Sequence, residues 1–374
     1  MHPLVTTTAA MAALLLASAQ AGAPHAAAAA ISAQAGADSL TLPPPKAGRT
    51  RPLVVVVAEN RGAETTDFII PYGVLKDSGV ADVRALSTGP GAVRLMMSLT
   101  IAADQTLAQF DAAEPAGADV VIVPAQIDPK DQILTAWVAE QARQGAVVMS
   151  VCEGARVLAD AGLFKGRRAT SHWHSLEGLA KAYPETAWVR DRRFVQDGPV
   201  ISTTGVSASI PASLALVEAI GGRSAAPATA GRLGVSDWSA DHRTSDYGLT
   251  SGDSAGAVGA RAAVWSHETV EAPLADGVDE IALALKADTW GRSFRTKVVT
   301  TAADGRPIRS KHGLVILPGD RPHPGRQGLG VTAAPPAPQL DLALDEVTRR
   351  YGARAGRLAR LGLEYDGPGF SKSR

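Results

Sequence analysis

The chain has 374 residues, 37 basic and 37 acidic side chains, a formal net charge of zero, and 45% apolar residues. That length suffices for one large domain or two modest ones. The even charge argues against nucleic acid or an anionic membrane surface as partner. One cysteine, Cys152, excludes an intramolecular disulfide and leaves a free thiol.

Residues 1–39 are alanine-rich, and the apolar run at 9–17 is too short to span a bilayer. Three overlapping A-x-A sites follow between Ala17 and Ala23, so this leader reads as a secretory signal, although no Lys or Arg precedes the run. The expected location is therefore periplasmic or extracellular, or cytoplasmic if the leader is not a signal. Residues 40–51, with Pro43, Pro44 and Pro45, read as a stiff linker.

Residues 52–58 (PLVVVVA) are the first predicted strand. A helix follows, capped by Thr65 or Thr66 and closed by Gly79, and Pro71 is expected to kink it or mark its start. Residues 83–87 are a strand, 93–101 are extended, 118–124 (ADVVIVP) are a buried strand, and 130–144 are an amphipathic helix. Residues 146–151 are an apolar strand, and Ala155, Val157, Leu158, Ala161 and Leu163 then recur at helical spacing. Strands are further expected at 168–171, 187–195 and 200–203, and a helix opened by Pro211 at 211–220. Strands alternating with helices predict an α/β fold, a flavodoxin-like parallel sheet with helices on both faces, over residues 52–223.

Residues 224–260 read as a flexible connection with a short helix at 228–233. Residues 261–374 read as a carboxyl-terminal α/β extension. Its expected elements are a strand start at 263–265, a helix at 278–286, strands at 295–301 and 314–317, and one long helix at 340–363. The order of elements there resembles that of residues 53–101, which suggests a duplicated half-domain. The five arginines of the last helix are read as a solvated face, not a nucleic-acid surface, given the zero net charge.

Cys152 lies between a strand and a helix, followed by Glu153 and Gly154. Such a turn presents a side chain at the carboxyl edge of the sheet, beside the first N–H groups of the helix. That setting predicts a lowered thiol pKa and a nucleophile, against the ordinary alternative of a small buried hydrophobe. His172 and His174 are equal candidates, on spacing, for a histidine at the same edge. Asp67 and Glu64 compete for an acid that carries a proton for the thiol. Eight scattered histidines without H-x-x-x-H spacing predict no metal, and no phosphate-binding glycine loop is present.

Four stretches carry a family likeness: GAETTDFIIPYGVL, ADVVIVPA, SVCEGARVLADAGLFKGRRATSHW and STTGVSASIPASLALVEAIGG. They resemble the PfpI superfamily, the class I glutamine amidotransferase-like fold that includes isocyanide hydratases, over about residues 53–222. The resemblance implies an acidic residue in contact with the elbow cysteine, at Asp67 with Glu64 one turn earlier, and a histidine at His172. It implies an oxyanion hole from the N–H groups of Glu153 and Gly154. Its other half would be Ala125, where the family often has Gly-Gly and this chain has Ala125 and Gln126. His174 stands where true amidotransferases carry a glutamate that orients the histidine. The resemblance also implies a homodimer, a small-molecule substrate and no cofactor. The leading expectation is a thiolate-dependent hydratase or hydrolase. The alternatives are a non-catalytic small-molecule or redox-sensing protein, or a transcription regulator that has lost its DNA-binding region.

Overall fold

A strand that is apolar on both faces is stable only where both are covered. Leu53–Ala58 (LVVVVA) meets that condition, with all six residues buried. The computed structural model describes residues 31–32, 39–262, 264–365 and 367. Most of the leader expected at 1–39 lies outside them. The first unit runs in chain order β1 (Leu53–Ala58), α1 (Thr65–Ser78), β2 (Asp82–Ser87), β3 (Ala92–Arg94), β4 (Thr100–Ala102) and β5 (Gln105–Thr106). It continues through α2 (Leu107–Ala113), β6 (Val120–Val123), α3 (Gln132–Arg143), β7 (Val147–Ser150), α4 (Ala155–Asp160), β8 (Arg168–Ala169) and α5 (Leu176–Ala182). It ends with β9 (Ala187–Val189), β10 (Phe194–Asp197), β11 (Val200–Thr203), α6 (Ser209–Gly221) and α7 (Ala225–Leu233).

Seven of these strands form one sheet in the order β10-β11-β7-β6-β1-β2-β5, parallel throughout except for the β10–β11 hairpin. The register sets Val56 of β1 beside Ile122, and Val123 beside Ser150 of β7. Alternate side chains then divide between two cores. Val54, Val56, Ile122 and Met149 join α1 and α6 on one face. Val55, Val57, Val121, Val123 and Val148 join α2, α3 and α4 on the other. Each such fully buried side chain is worth roughly 1.5–3 kcal/mol of transfer free energy. The predicted α/β class and parallel sheet are what the structure has.

Several boundaries differ from expectation. Helix α1 is capped by Glu64, not Thr65 or Thr66, and it runs through Pro71 without ending. The run expected to be extended at 93–101 is a hairpin of β3 and β4 around a tight turn, where Met97 has φ 74°. The strand expected to reach His172 stops at Ala169 and pairs with β9 in a separate small sheet, not in the main one. The strand expected at 187–195 is split by a turn at Asp191, which has φ 62°.

The second region begins with α8 (Ser251–Ala262) and continues β12 (Glu268–Pro273), α9 (Glu280–Gly291), β13 (Thr296–Thr301), β14 (Ile308–Arg309), β15 (Val315–Leu317), α10 (Pro336–Tyr351) and α11 (Ala353–Leu363). The expected connection at 224–260 thus holds α7 and most of α8. Of the strand start expected at 263–265, residue 263 is outside the described residues, and Val264–Ser266 is a helical turn. The single helix expected at 340–363 is two helices, broken at Gly352, which has φ 88°. Helix α9 packs on α1, so α1 lies between the sheet and the second region and is buried from Thr65 to Leu75.

Candidate active site

Cys152 follows β7 directly and precedes α4. Its backbone has φ 57°, a left-handed conformation that a non-glycine residue adopts only when its surroundings impose it. Three bonds do so. The Val151 N–H donates to the Val123 carbonyl at 2.9 Å, the Cys152 N–H to the Thr204 carbonyl at 3.1 Å, and the Ser171 hydroxyl to the Cys152 carbonyl at 2.9 Å. Gly154 packs so closely on β6 that a Cβ there would collide with the carbonyl oxygens of Val123 and Pro124. The strand-to-helix turn read in the sequence is therefore present, strained and braced.

The acid side of the site comes from the start of α1. Glu64 Oε2 caps the helix, accepting from the Asp67 N–H at 2.6 Å and the Thr66 hydroxyl at 2.8 Å. Asp67 is wholly buried; its Oδ2 accepts from the Ala125 N–H at 3.3 Å and its Oδ1 has no partner among the described residues. Burial, then the charge of Glu64, raises the Asp67 pKa well above the usual carboxylate range. Burial thus favours the protonated form of Asp67, and Glu64 is its brace.

The expected depression of the thiol pKa is not what the structure supports. Cys152 is 6% exposed, and burial raises its pKa, with the carboxyls of Asp67, Glu153 and Glu64 acting in the same direction. The charge of Arg292 opposes them. The helix-end partial charge invoked from sequence is outweighed by desolvation and by three nearby acids. A negative charge on Asp67 therefore disfavours the thiolate.

The groups around this pair are partly those expected. Glu153 is half-buried; its side chain accepts from the Ser175 hydroxyl and lies 3.7 Å from Arg156. The Ala125 N–H, expected in an oxyanion hole, is engaged by Asp67. The Gln126 side chain is committed to the backbone, accepting from Glu59 N–H and donating to Pro124 and Val57 carbonyls. His172 lies near the elbow, but no hydrogen bond joins its ring to the sulfur among the described residues. Its Nδ1 accepts from the His174 N–H at 3.3 Å. Burial pushes the His172 pKa down to about 4, so the ring is neutral near pH 7.

Two charged residues that sequence reading missed complete the site, both from the second region. Arg292, at the end of α9, is buried and bonds Glu64 Oε1 at 2.9 Å, Asp288 Oδ2 at 2.6 Å and the Gly362 carbonyl at 2.7 Å. Glu364, just past α11, is fully enclosed; its Oε2 accepts from the Gly205 N–H at 2.6 Å and lies 3.9 Å from His172 Nε2, and its Oε1 is 2.8 Å from His242 Nε2. A carboxylate thus stands beside His172 although position 174 offers none. The only available signal was the Asp288–Arg292 pair at helical spacing on a largely apolar helix. Nothing local marks Glu364.

Among the described residues no group of three or more His, Cys, Asp or Glu could hold a metal ion, and no helix is long and apolar enough to cross a membrane. A depression of about 740 Å³ lined by Arg51, Lys76, Asp82, Arg84 and Gln105 opens at the opposite, amino-terminal edge of the sheet.

Residues 53–219 match the DJ-1/PfpI family. The deglycase PfpI of Pyrococcus furiosus is 30% identical over a segment covering 37% of this chain and 82% of that protein. The chain belongs to the DJ-1/PfpI family. Its isonitrile hydratase relative from Pseudomonas putida is 38% identical, over 28% of this chain and 46% of the relative. The transcriptional regulator CdhR of Pseudomonas aeruginosa is 35% identical, over 26% of this chain and 30% of the regulator. The chain thus spans less than half the length of these two relatives. Among solved structures, Drosophila melanogaster DJ-1beta is similar, with a TM-score of 0.45 and 24% identity, covering 50% of this chain and all of that one. The family model's matched region, residues 53–219, ends within α6, before α7–α11.

Proposed function

We propose that this DJ-1/PfpI protein is a cofactor-free, cysteine-dependent hydratase or hydrolase acting on a small electrophilic substrate. One observation carries the reading: a strained elbow thiol feels the charge of a buried Asp67 that has an unpartnered oxygen. A carboxyl whose protonated form is favoured by burial, close to a nucleophile that must lose a proton, is the arrangement proton shuttling needs. Relatives named isonitrile hydratase and deglycase support the substrate class.

For an isocyanide the steps balance without any other reagent. The Cys152 sulfur bonds to the terminal carbon, and the thiol proton reaches that carbon by way of Asp67, which gives a thioimidate. Water adds to that carbon, and the C–S bond then breaks to release an N-substituted formamide and the thiol. For a reactive carbonyl or amide, negative charge develops on oxygen, and the Glu153 N–H is the donor to stabilise it, because the Gly154 N–H expected beside it is given to the Val151 carbonyl at 2.9 Å. Low exposure of the sulfur restricts the substrate to small molecules, and it also shields the thiol from the peroxide that a redox sensor must meet.

The test is a panel of isocyanides, dicarbonyls and small amides run on the wild type, Cys152→Ala and Asp67→Asn. The expected result is turnover of one class, abolished by Cys152→Ala and reduced at least 100-fold by Asp67→Asn. No turnover of any class, or turnover that survives Cys152→Ala, sinks the proposal.

A further inference from the structure

The second region repeats the first. The starts of β12, α9, β13, β14 and β15 (Glu268, Glu280, Thr296, Ile308, Val315) stand at a constant offset, to within a residue, from those of β1, α1, β2, β3 and β4 (Leu53, Thr65, Asp82, Ala92, Thr100). Backbone bonds repeat at the same offset. Leu95 donates to Leu99 as Ser310 does to Leu314, Met96 to Ala63 as Lys311 to Val278, and Asp104 to Ala85 as Gly319 to Thr300. Gly79 and Phe294 end the matching helices at φ 68° and 55°. Strands β12 and β13 are parallel, as β1 and β2 are.

The repeat resumes in the last two helices. Gly222 follows α6 with φ 81° and ψ 173°, and Gly352 follows α10 with φ 88° and ψ 165°. The next helices carry ATAGRL at 228–233 and ARAGRL at 353–358. Helix α6 packs on α1 as α10 packs on α9. Between β15 and α10 nothing corresponds to β6, β7 or the elbow.

The two copies meet about an approximate two-fold axis. Strand β4 pairs antiparallel with β15, and Ile101 opposes Ile316, its own counterpart in the repeat. Val315 faces Ala102 and Leu317 faces Thr100, which are again exchanged by the same operation. Helix α1 packs on its counterpart α9. A surface that pairs with its own copy across a two-fold is the geometry of an isologous dimer interface. Here both sides belong to one chain.

We propose that residues 268–365 are a built-in half-partner: they cover α1 and β4 of the first copy about an approximate two-fold and complete the single thiol site in cis through Arg292. The chain is then a monomer, and the homodimer implied by family resemblance is replaced by an internal one. The elbow exists only in the first copy, so the two ends of the α1–α9 pair serve different ends. At one end, Arg292 reaches Glu64 beside the Asp67–Cys152 pair. At the other, its counterpart Asp77 is closed off by His312 and Arg232.

Two measurements test this, and neither needs a substrate, so a failed activity screen leaves them standing. Sedimentation of the full chain from about 1 to 100 μM, a range in which interfaces of ordinary strength assemble, is expected to give one monomeric species. Alkylation of Cys152 by iodoacetamide at pH 7 is expected to be at least tenfold slower in Arg292→Met than in wild type, and several-fold slower in Arg292→Lys, which keeps a charge but loses the fork. Circular dichroism checks that each variant is folded, and Arg292→Lys alone decides if Arg292→Met is not. A concentration-dependent dimer, or alkylation unchanged in the folded Arg292 variant, overturns the proposal.

Discussion

The two ends of the α1–α9 helix pair share a backbone and differ in chemistry. At the elbow end one cation, Arg292, serves Glu64 and Asp288 and sits near an acid and a thiol, with almost no exposed surface. At the far end the counterpart position holds Asp77, met by His312 at 3.3 Å and by a half-exposed Arg232 at 2.7 Å, while His312 also bonds Glu280 at 2.6 Å. The same approximate two-fold thus delivers a charged residue to both ends. Only the end with a strand-to-helix turn has something for that charge to act on. The lesson is that duplication copies a frame, and the site resides in what the copy lacks.

If the elbow end depends on one buried cation, truncating it should be the most damaging change in either half. Arg292→Ala leaves Glu64 and Asp288 as buried acids without a cation and is expected to cost about 3–5 kcal/mol of unfolding free energy. Asp77→Ala should cost less, because Arg232 can turn to solvent. Urea denaturation at pH 7 measures both, and equal losses would break the contrast between the ends.

The far end should carry a pH signature of its own, set by one histidine. Contact with Asp77 and Glu280 overcomes burial and raises the His312 pKa to about 9 from its ordinary 6.5. A group raised on folding contributes stability that is full below its unfolded pKa and is lost as pH rises through the folded one. His312 should therefore supply up to about 2 kcal/mol at pH 6, after allowance for partial solvent screening, and almost none above pH 10. Denaturation of wild type and His312→Gln at pH 6 and pH 10 tests it. A difference between the two proteins that does not shrink with pH would count against the assignment.

Much of this was legible in the sequence, unevenly. Runs such as LVVVVA and VVIV declare buried parallel strands because no other element covers both faces of so short an apolar segment. Cys152 was legible as an elbow because a strand ends and a helix begins at it. The acid was legible only as a choice between Asp67 and Glu64, and the structure separates their settings, with Asp67 wholly buried and Glu64 serving as cap and ion-pair partner. The second region was read correctly as a repeat, yet its helices were misjudged, since Ala-, Gly- and Ser-rich stretches such as Ser251–Ala262 look like linker until a partner surface orders them. Arg292 and Glu364 were beyond reach. They act on residues far away in the chain, and apart from the Asp288–Arg292 spacing nothing in their neighbours announces a distant partner.

The thiol pKa was the one inverted expectation, and it supplies the finest test of the elbow end. Asp67 stands second only to burial among the causes that raise the Cys152 pKa, and its own pKa is raised by burial and by Glu64. Replacing it with Asn keeps the shape and removes a negative charge that disfavours the thiolate. The pH midpoint for alkylation of Cys152 should then fall by about one unit, the size expected for loss of one close like charge at a buried site. Turnover would fall in the same variant, because Asn cannot carry the proton. Faster alkylation with slower catalysis would separate the acid's electrostatic effect from its chemical one. A midpoint that stays put or rises would mean that the charge of the carboxyl does not act on the sulfur.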